Sequence, residues 1–204
     1  MNLDGFALPV KKLQGTDPVE TLDLSGKKLG VASAVVIASL ICANGGLMSL
    51  DLSHNDLCNT FGGTYTAEGI TAIADALGAL TSVDLRGNWL GDEGWGAIFA
   101  AICGNKDSKI ISMDVSGENI GPAGVKLIAE ALRTSVTGAL TSVELKGNKL
   151  GDEGWGAIFA AICGNKDSKI MSMDVSGENI GPAGVKLIAE ALRTSVTGAL
   201  MKVR

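Results

Sequence analysis

The sequence predicts a single α/β solenoid, a right-handed stack of strand–helix units with a parallel β-sheet on its concave face and α-helices on its convex face. Three observations predict it. Residues 81–140 and 141–200 are the same sixty-residue text, differing only at Asp84/Glu144, Arg86/Lys146, Trp89/Lys149 and Ile111/Met171. Self-similarity at a fixed period is the mark of a repeat architecture. Each sixty divides into two unlike thirties, and each thirty opens on a short alternating apolar run that passes into helical spacing. One strand plus one helix cannot bury its own apolar side, so such units persist only when stacked.

Taken in order, residues 1–18 do not fit the repeat and are expected to cap it, with Phe6, Leu8, Val10 and Leu13 in a short hairpin or extended cover over the first strand. The array occupies residues 19–204. Its strand segments read VETLDLSGKKL from Val19, LMSLDLSHNDL from Leu47, LTSVDLRGNWL from Leu80, IISMDVSGENI from Ile110, LTSVELKGNKL from Leu140 and IMSMDVSGENI from Ile170. The last five residues, LMKVR, begin a seventh. In LDL, VDL and MDV apolar and polar residues alternate, which is the period of a strand with one buried face.

The helical stretches show apolar residues at i, i+3 and i+4, as in Ala97, Ile98, Ala101 and Ile102. Asp92 and Glu93 suit the positive end of a helix dipole, and Pro122 suits a first helical turn. Residues 29–50 carry no charge, but Gly30, Asn44, Gly45 and Gly46 interrupt them, so a buried repeat helix is expected rather than a membrane span. A polar insertion around Asn59–Thr66 is expected to bulge as a loop.

This pattern resembles the leucine-rich repeat family, in particular its ribonuclease-inhibitor-like class. The family motif LxxLxLxxNxL is followed by a Gly-containing helix, here Gly69–Ile73–Leu77, Gly94–Ile98–Ile102 and Gly124–Ile128–Leu132. The resemblance covers residues 19–204 and implies a horseshoe arc that binds protein partners. The motif Asn is present as Asn55, Asn88 and Asn148 but is replaced by Lys27, Glu118 and Glu178, so the asparagine ladder of the family is expected to be interrupted. The near-verbatim duplication and the stop within a seventh strand read as a repeat pair copied and trimmed by design; a recent natural duplication produces the same text.

Composition narrows the function. A formal charge of −5, with no Lys/Arg cluster, argues against a nucleic-acid partner. Hydrophobic residues make up 46% of the chain and aromatics 4%, enough for an aliphatic core. Cys42, Cys58, Cys103 and Cys163 show no CxxC spacing, and no signal peptide precedes them, so reduced thiols in a cytoplasmic protein are expected. No cofactor or metal set is apparent. His54 lies beside Asp51 and Ser53 but on the opposite strand face, a poor relay, so no enzymatic activity is expected.

The candidate binding surface is the concave strand face. Its central position is acidic in every repeat: Asp23, Asp51, Asp84, Asp114, Glu144 and Asp174. Arg86 and Lys146 lie two residues on, and Trp89 and Lys149 just beyond the strand. One reading is a surface for a protein or peptide ligand; the other is solvated family text, with Trp89 packed on an adjoining turn. Trp95, Phe99, Trp155 and Phe159 are expected to fill gaps left by small residues on neighbouring helices rather than to form a convex patch. A second function is also open, self-association into a homo-oligomer through the final strand edge or the repeated surfaces.

Overall fold

The structure is a computed structural model that describes residues 1–59 and 63–204. The expected loop around Asn59–Thr66 therefore lies partly outside the described residues; flanking it, Asn59 and Tyr65 form an isolated antiparallel bridge.

The chain opens with an antiparallel hairpin, β1 (Asn2–Leu3) and β2 (Phe6–Ala7), and a short helix α1 (Val10–Leu13). Strand–helix units follow: β3 (Thr21–Asp23) and α2 (Val31–Ile41), β4 (Ser49–Asp51) and α3 (Glu68–Ala76), β5 (Ser82–Asp84) and α4 (Gly91–Gly104). Then come β6 (Ser112–Asp114) and α5 (Pro122–Arg133), β7 (Ser142–Glu144) and α6 (Gly151–Gly164), β8 (Ser172–Met173) and α7 (Pro182–Arg193), and finally β9 (Lys202–Val203). Among the described residues no helix is long and apolar enough to cross a membrane, and uncharged α2 is an 11-residue helix whose Ala34, Ile37 and Ile41 face the core.

Strands pair in parallel and in register, so Thr21, Ser49 and Ser82 stand side by side, as do Ser112, Ser142 and Ser172. The one sheet expected divides into two, β3-β4-β5 and β6-β7-β8-β9. At the seam the Ile111 N–H reaches the Thr81 carbonyl at 3.4 Å, whereas the equivalent bond from Thr141 to Ile111 is 2.8 Å. The strands are splayed there, and the ladder stretches past regular pairing.

The core runs the length of the stack. Leu50, Leu52, Val83, Leu85, Met113, Val115, Val143 and Leu145 point inward from the strands and are buried against the helices. Trp95, Phe99, Trp155 and Phe159 are all fully buried, so the aromatics belong to the core, each contributing roughly 2–3 kcal/mol by burial. Small residues make room for large ones: a Cβ placed on Gly96 would stand 2.6 Å from Cδ1 of Leu127 on the next helix, and Gly156 meets Leu187 the same way.

The turns after the strands explain the missing asparagines. Asn88 Nδ2 donates to the Leu52 and Leu85 carbonyls, and Asn148 Nδ2 to those of Val115 and Leu145, tying two adjacent turns together. Asn55 does the same and also accepts the Lys27 and Leu29 N–H groups. Glu118 and Glu178 reach back instead, each accepting the N–H of the preceding turn's glycine, Gly87 at 2.9 Å and Gly147 at 2.8 Å. In these two repeats carboxylates continue the ladder where it lacks amides.

Helix starts are also linked across repeats. Asp92 accepts the Gly121 N–H at 2.7 Å, and Asp152 accepts that of Gly181 at 2.7 Å, so each acid supports the next helix rather than its own alone. Asp4 of the N-terminal hairpin does this for α2, accepting from Gly30 N–H and the Ser33 hydroxyl.

Candidate recognition surface

The strand-lined face carries the acidic row in the order expected, Asp23–Asp51–Asp84 on one sheet and Asp114–Glu144 in register on the other, with Asp174 following in the β8 repeat. Each aspartate has a local job that spacing alone did not reveal. Its Oδ1 accepts the N–H two residues on: Ser25 for Asp23, Ser53 for Asp51, Arg86 for Asp84, Ser116 for Asp114 and Ser176 for Asp174, all at 2.8–3.0 Å. The short side chain closes a turn that ends the strand. The recurring Asp-x-Ser/Arg triplet was the signal that could have found it.

Arg86 has the most contacts on this face. Its guanidinium grips Asp84 at 2.6 Å and reaches across the sheet seam to Asp114 at 2.8 Å. Burial tends to raise the Asp84 carboxyl, but the Arg86 hydrogen bonds outweigh it and hold the group below the usual aspartate range. In the second copy Lys146 stands 3.6 Å from Asp174 and 3.2 Å from the Ser176 hydroxyl, a looser arrangement. Burial, then the charges of Asp174 and Asp114, push the Glu144 carboxyl above the usual glutamate range. The two strips therefore differ chemically although their positions match.

Trp89 lies beyond the strand, on the turn that leads into α4, so it is a rim residue rather than part of the strand row. Its side chain is 70% exposed. Its φ of 57° is in the left-handed region; Lys149, Asn119 and Asn179 hold the equivalent places at 56°, 56° and 51°. The neighbouring Tyr65 hydroxyl donates to the Leu90 carbonyl at 2.7 Å, placing a second, partly exposed aromatic beside the rim. Tyr65 was not singled out from the sequence because it sits in the irregular insertion, outside the repeat register.

Other candidate chemistry does not assemble. The His54 ring lies over the next turn, so close that a Cβ on Gly87 would be 2.6 Å from Nδ1. The buried thiols are pushed up by desolvation, Cys58 to about 12 and Cys103 to about 11, which leaves them protonated and unreactive at neutral pH. Among the described residues no three His, Cys, Asp or Glu side chains come together in a way that could hold a metal ion.

Parallel strands in register, one helix per strand and a shared turn ladder define an α/β repeat solenoid. The family described as Leucine Rich repeat matches residues 80–99 and 140–159, the β5–α4 and β7–α6 units. Among solved structures, the leucine-rich repeat-containing protein LegL7 from Legionella pneumophila is similar at a TM-score of 0.60 and 18% identity, over 99% of this chain and 61% of that one. The tropomodulin C-terminal domain of Caenorhabditis elegans aligns at a TM-score of 0.44 and 12% identity, over 91% and 89%. No curated protein matches the sequence. The chain has the leucine-rich repeat fold, and two of its strand–helix units match the family's model. Proteins of this kind commonly bind protein partners.

Proposed function

We propose that the chain is a non-enzymatic recognition scaffold that binds a protein or peptide along its strand-lined face, with Trp89 as a rim anchor. One observation carries the reading. All four differences between the sixty-residue copies fall on the strand-and-turn side, while both helices of each copy are identical. None of the four falls on a fully buried side chain, and they change charge geometry (Asp84/Glu144, Arg86/Lys146), aromaticity (Trp89/Lys149) or apolar shape (Ile111/Met171) at partly or fully exposed sites. Variation confined to an accessible strip is what a recognition surface tolerates and a packing surface does not. An exposed tryptophan beside an arginine is a composition enriched where partners bind.

The test is a selection of binders against the chain, followed by affinity measurement on W89A/D114N and on a helix-side variant, K126E/K186E. The expected result is a loss of about tenfold or more for the first pair and little change for the second, in line with anchor residues dominating an interface. Loss on the helix-side variant, with the strand-side variant unaffected, would overturn the reading.

A further inference from the structure

Three rows run side by side along the strand-lined face. The residues just before the strands are joined by backbone hydrogen bonds from Met48 through Thr81, Ile111 and Thr141 to Met171, so they stand shoulder to shoulder. Met48, Ile111 and Met171 are 46%, 53% and 45% exposed. Between them the Thr81 and Thr141 hydroxyls donate to the Met48 and Ile111 carbonyls at 3.0 and 3.3 Å, so their polar ends are engaged within the chain. The first row is therefore apolar in character. One residue on come the serines, in register as Ser49–Ser82 and Ser112–Ser142–Ser172. Among the described residues no group of the chain pairs with their hydroxyls. Two residues further stands the acidic row, of which Asp23, Asp51 and Glu144 have no ion-pair partner among the described residues.

Small serines between larger side chains make a trough. Met48 and Asp51 are three residues apart on extended backbone, about 10 Å, which is room for one ligand chain and not for two. One wall is apolar and the other anionic: six carboxylates meet only two cations, Arg86 and Lys146, along the strand row. The ligand that complements both walls is apolar along one side and cationic along the other.

We infer that the trough binds an extended, polyproline II-type peptide with one apolar and one basic residue in every three. This rests on the strand-face reading above and names the ligand for it. The apolar wall sets the period. Met48, Ile111 and Met171 recur every second strand, about 9.6 Å apart at regular strand spacing and a little more across the β5–β6 seam. A polyproline II chain turns once in three residues, over about 9.3 Å. Every third side chain returns to the same wall, and three turns reach all three apolar residues. A β-strand returns a side chain to one face about every 6.8 Å, out of step with the wall.

The serines decide against an α-helix, which comes back to one face after seven residues, about 10.5 Å. A helix satisfies its own backbone, so it would bury these hydroxyls without partners and lose affinity for it. Polyproline II has no internal hydrogen bonds and offers its carbonyls to them. Each turn of the ligand then presents its apolar residue to the Ile111 row, its basic residue to the acidic row and its backbone to the serines between.

The probe is a labelled nine-residue peptide, (Leu-Pro-Arg)3, titrated by fluorescence anisotropy against the 204-residue chain. A dissociation constant of about 10–100 μM is expected of so small a contact. Added salt should weaken it, because exposed charges are screened. The same nine residues shuffled to break the period should bind about fivefold more weakly or worse, and so should a helical peptide of about 21 residues with the same charge and leucines seven apart. I111D/M171D, folded by circular dichroism, should cost about tenfold, as loss of an apolar anchor does. S82A/S112A/S142A should cost about fivefold through the lost hydrogen bonds. K126E/K186E on the helix side should change nothing. No binding, equal binding of the shuffled peptide, tighter binding of the helical one, or indifference to S82A/S112A/S142A would each overturn the inference. If selected binders still lose affinity on W89A/D114N in that event, the strand-face reading stands and only the ligand assigned to it falls; if they do not, both fall.

Discussion

Val125 and Val185 hold the same place in the same helix, with identical residues for thirteen positions on the N-terminal side and fifteen on the C-terminal side, yet one is buried and the other open. Leu132 and Leu192 differ in the same way, and Val175 is only half-buried where Val115 is fully buried. Identical text therefore has two packing fates, decided by whether another repeat follows in contact. Each unit supplies half of an interface, and stability resides in the interfaces as much as in the units.

The largest expected effect breaks or upholds that contrast directly. L132A should cost about 3 kcal/mol, as a buried leucine truncated in a close-packed site does, whereas L192A should cost less than about 1 kcal/mol. Urea denaturation at concentrations low enough to keep the chain monomeric reads both, through shifts in midpoint at constant slope. Equal losses would mean that the two copies are not packed as unequally as they stand.

The second contrast is between the two charged strips. Asp84 is held low by Arg86, so its ion pair stabilises the fold above the ordinary aspartate range and that contribution is lost as pH falls through the depressed folded-state value. Glu144 is raised, so its charge opposes folding at neutral pH, and stability is recovered as pH falls through the elevated folded-state value. D84N should therefore cost up to about 1 kcal/mol at neutral pH, with the deficit shrinking in acid, after allowance for solvent screening of a partly exposed pair. E144Q should be neutral or gain a few tenths of a kcal/mol at neutral pH. Stability measured from neutral to acid pH on both variants checks the opposite signs; two losses of equal size would erase the distinction between the strips.

Much of this was legible in sequence because the period is strong. The alternation in VDL and MDV places Val83 and Met113 inside and Asp84 and Asp114 outside, and the helical spacing places Ile98 and Ile128 in the core. The same logic could not separate Val125 from Val185, because periodicity reports which face of a helix is apolar and not whether a neighbour arrives to cover it. Glu118 was legible as a departure from the motif but not as a replacement for it, since its carboxylate acts on Gly87 in the preceding repeat, 31 residues away. The seam between β5 and β6 left no trace in composition; it is a splay of backbone, bridged by an Arg86 whose reach to Asp114 depends on three-dimensional register.

The smallest expected effect concerns Trp89 and its twin Lys149. Both sit at left-handed φ, a conformation that costs an ordinary L-residue about 1–2 kcal/mol and that asparagine adopts more readily. The alternate repeats already use Asn119 and Asn179 there. W89N and K149N should each stabilise the fold by about 0.5–1 kcal/mol, read as a rise in urea midpoint. Because Trp95 and Trp155 are fully buried, W89N should also remove the acrylamide-quenchable part of the tryptophan emission. A gain at 149 with a loss at 89 would show that the indole makes stabilising contacts despite its exposure. Trp89 would then serve the fold, and the rim would lose the residue that most strongly marks it as a place where a partner binds.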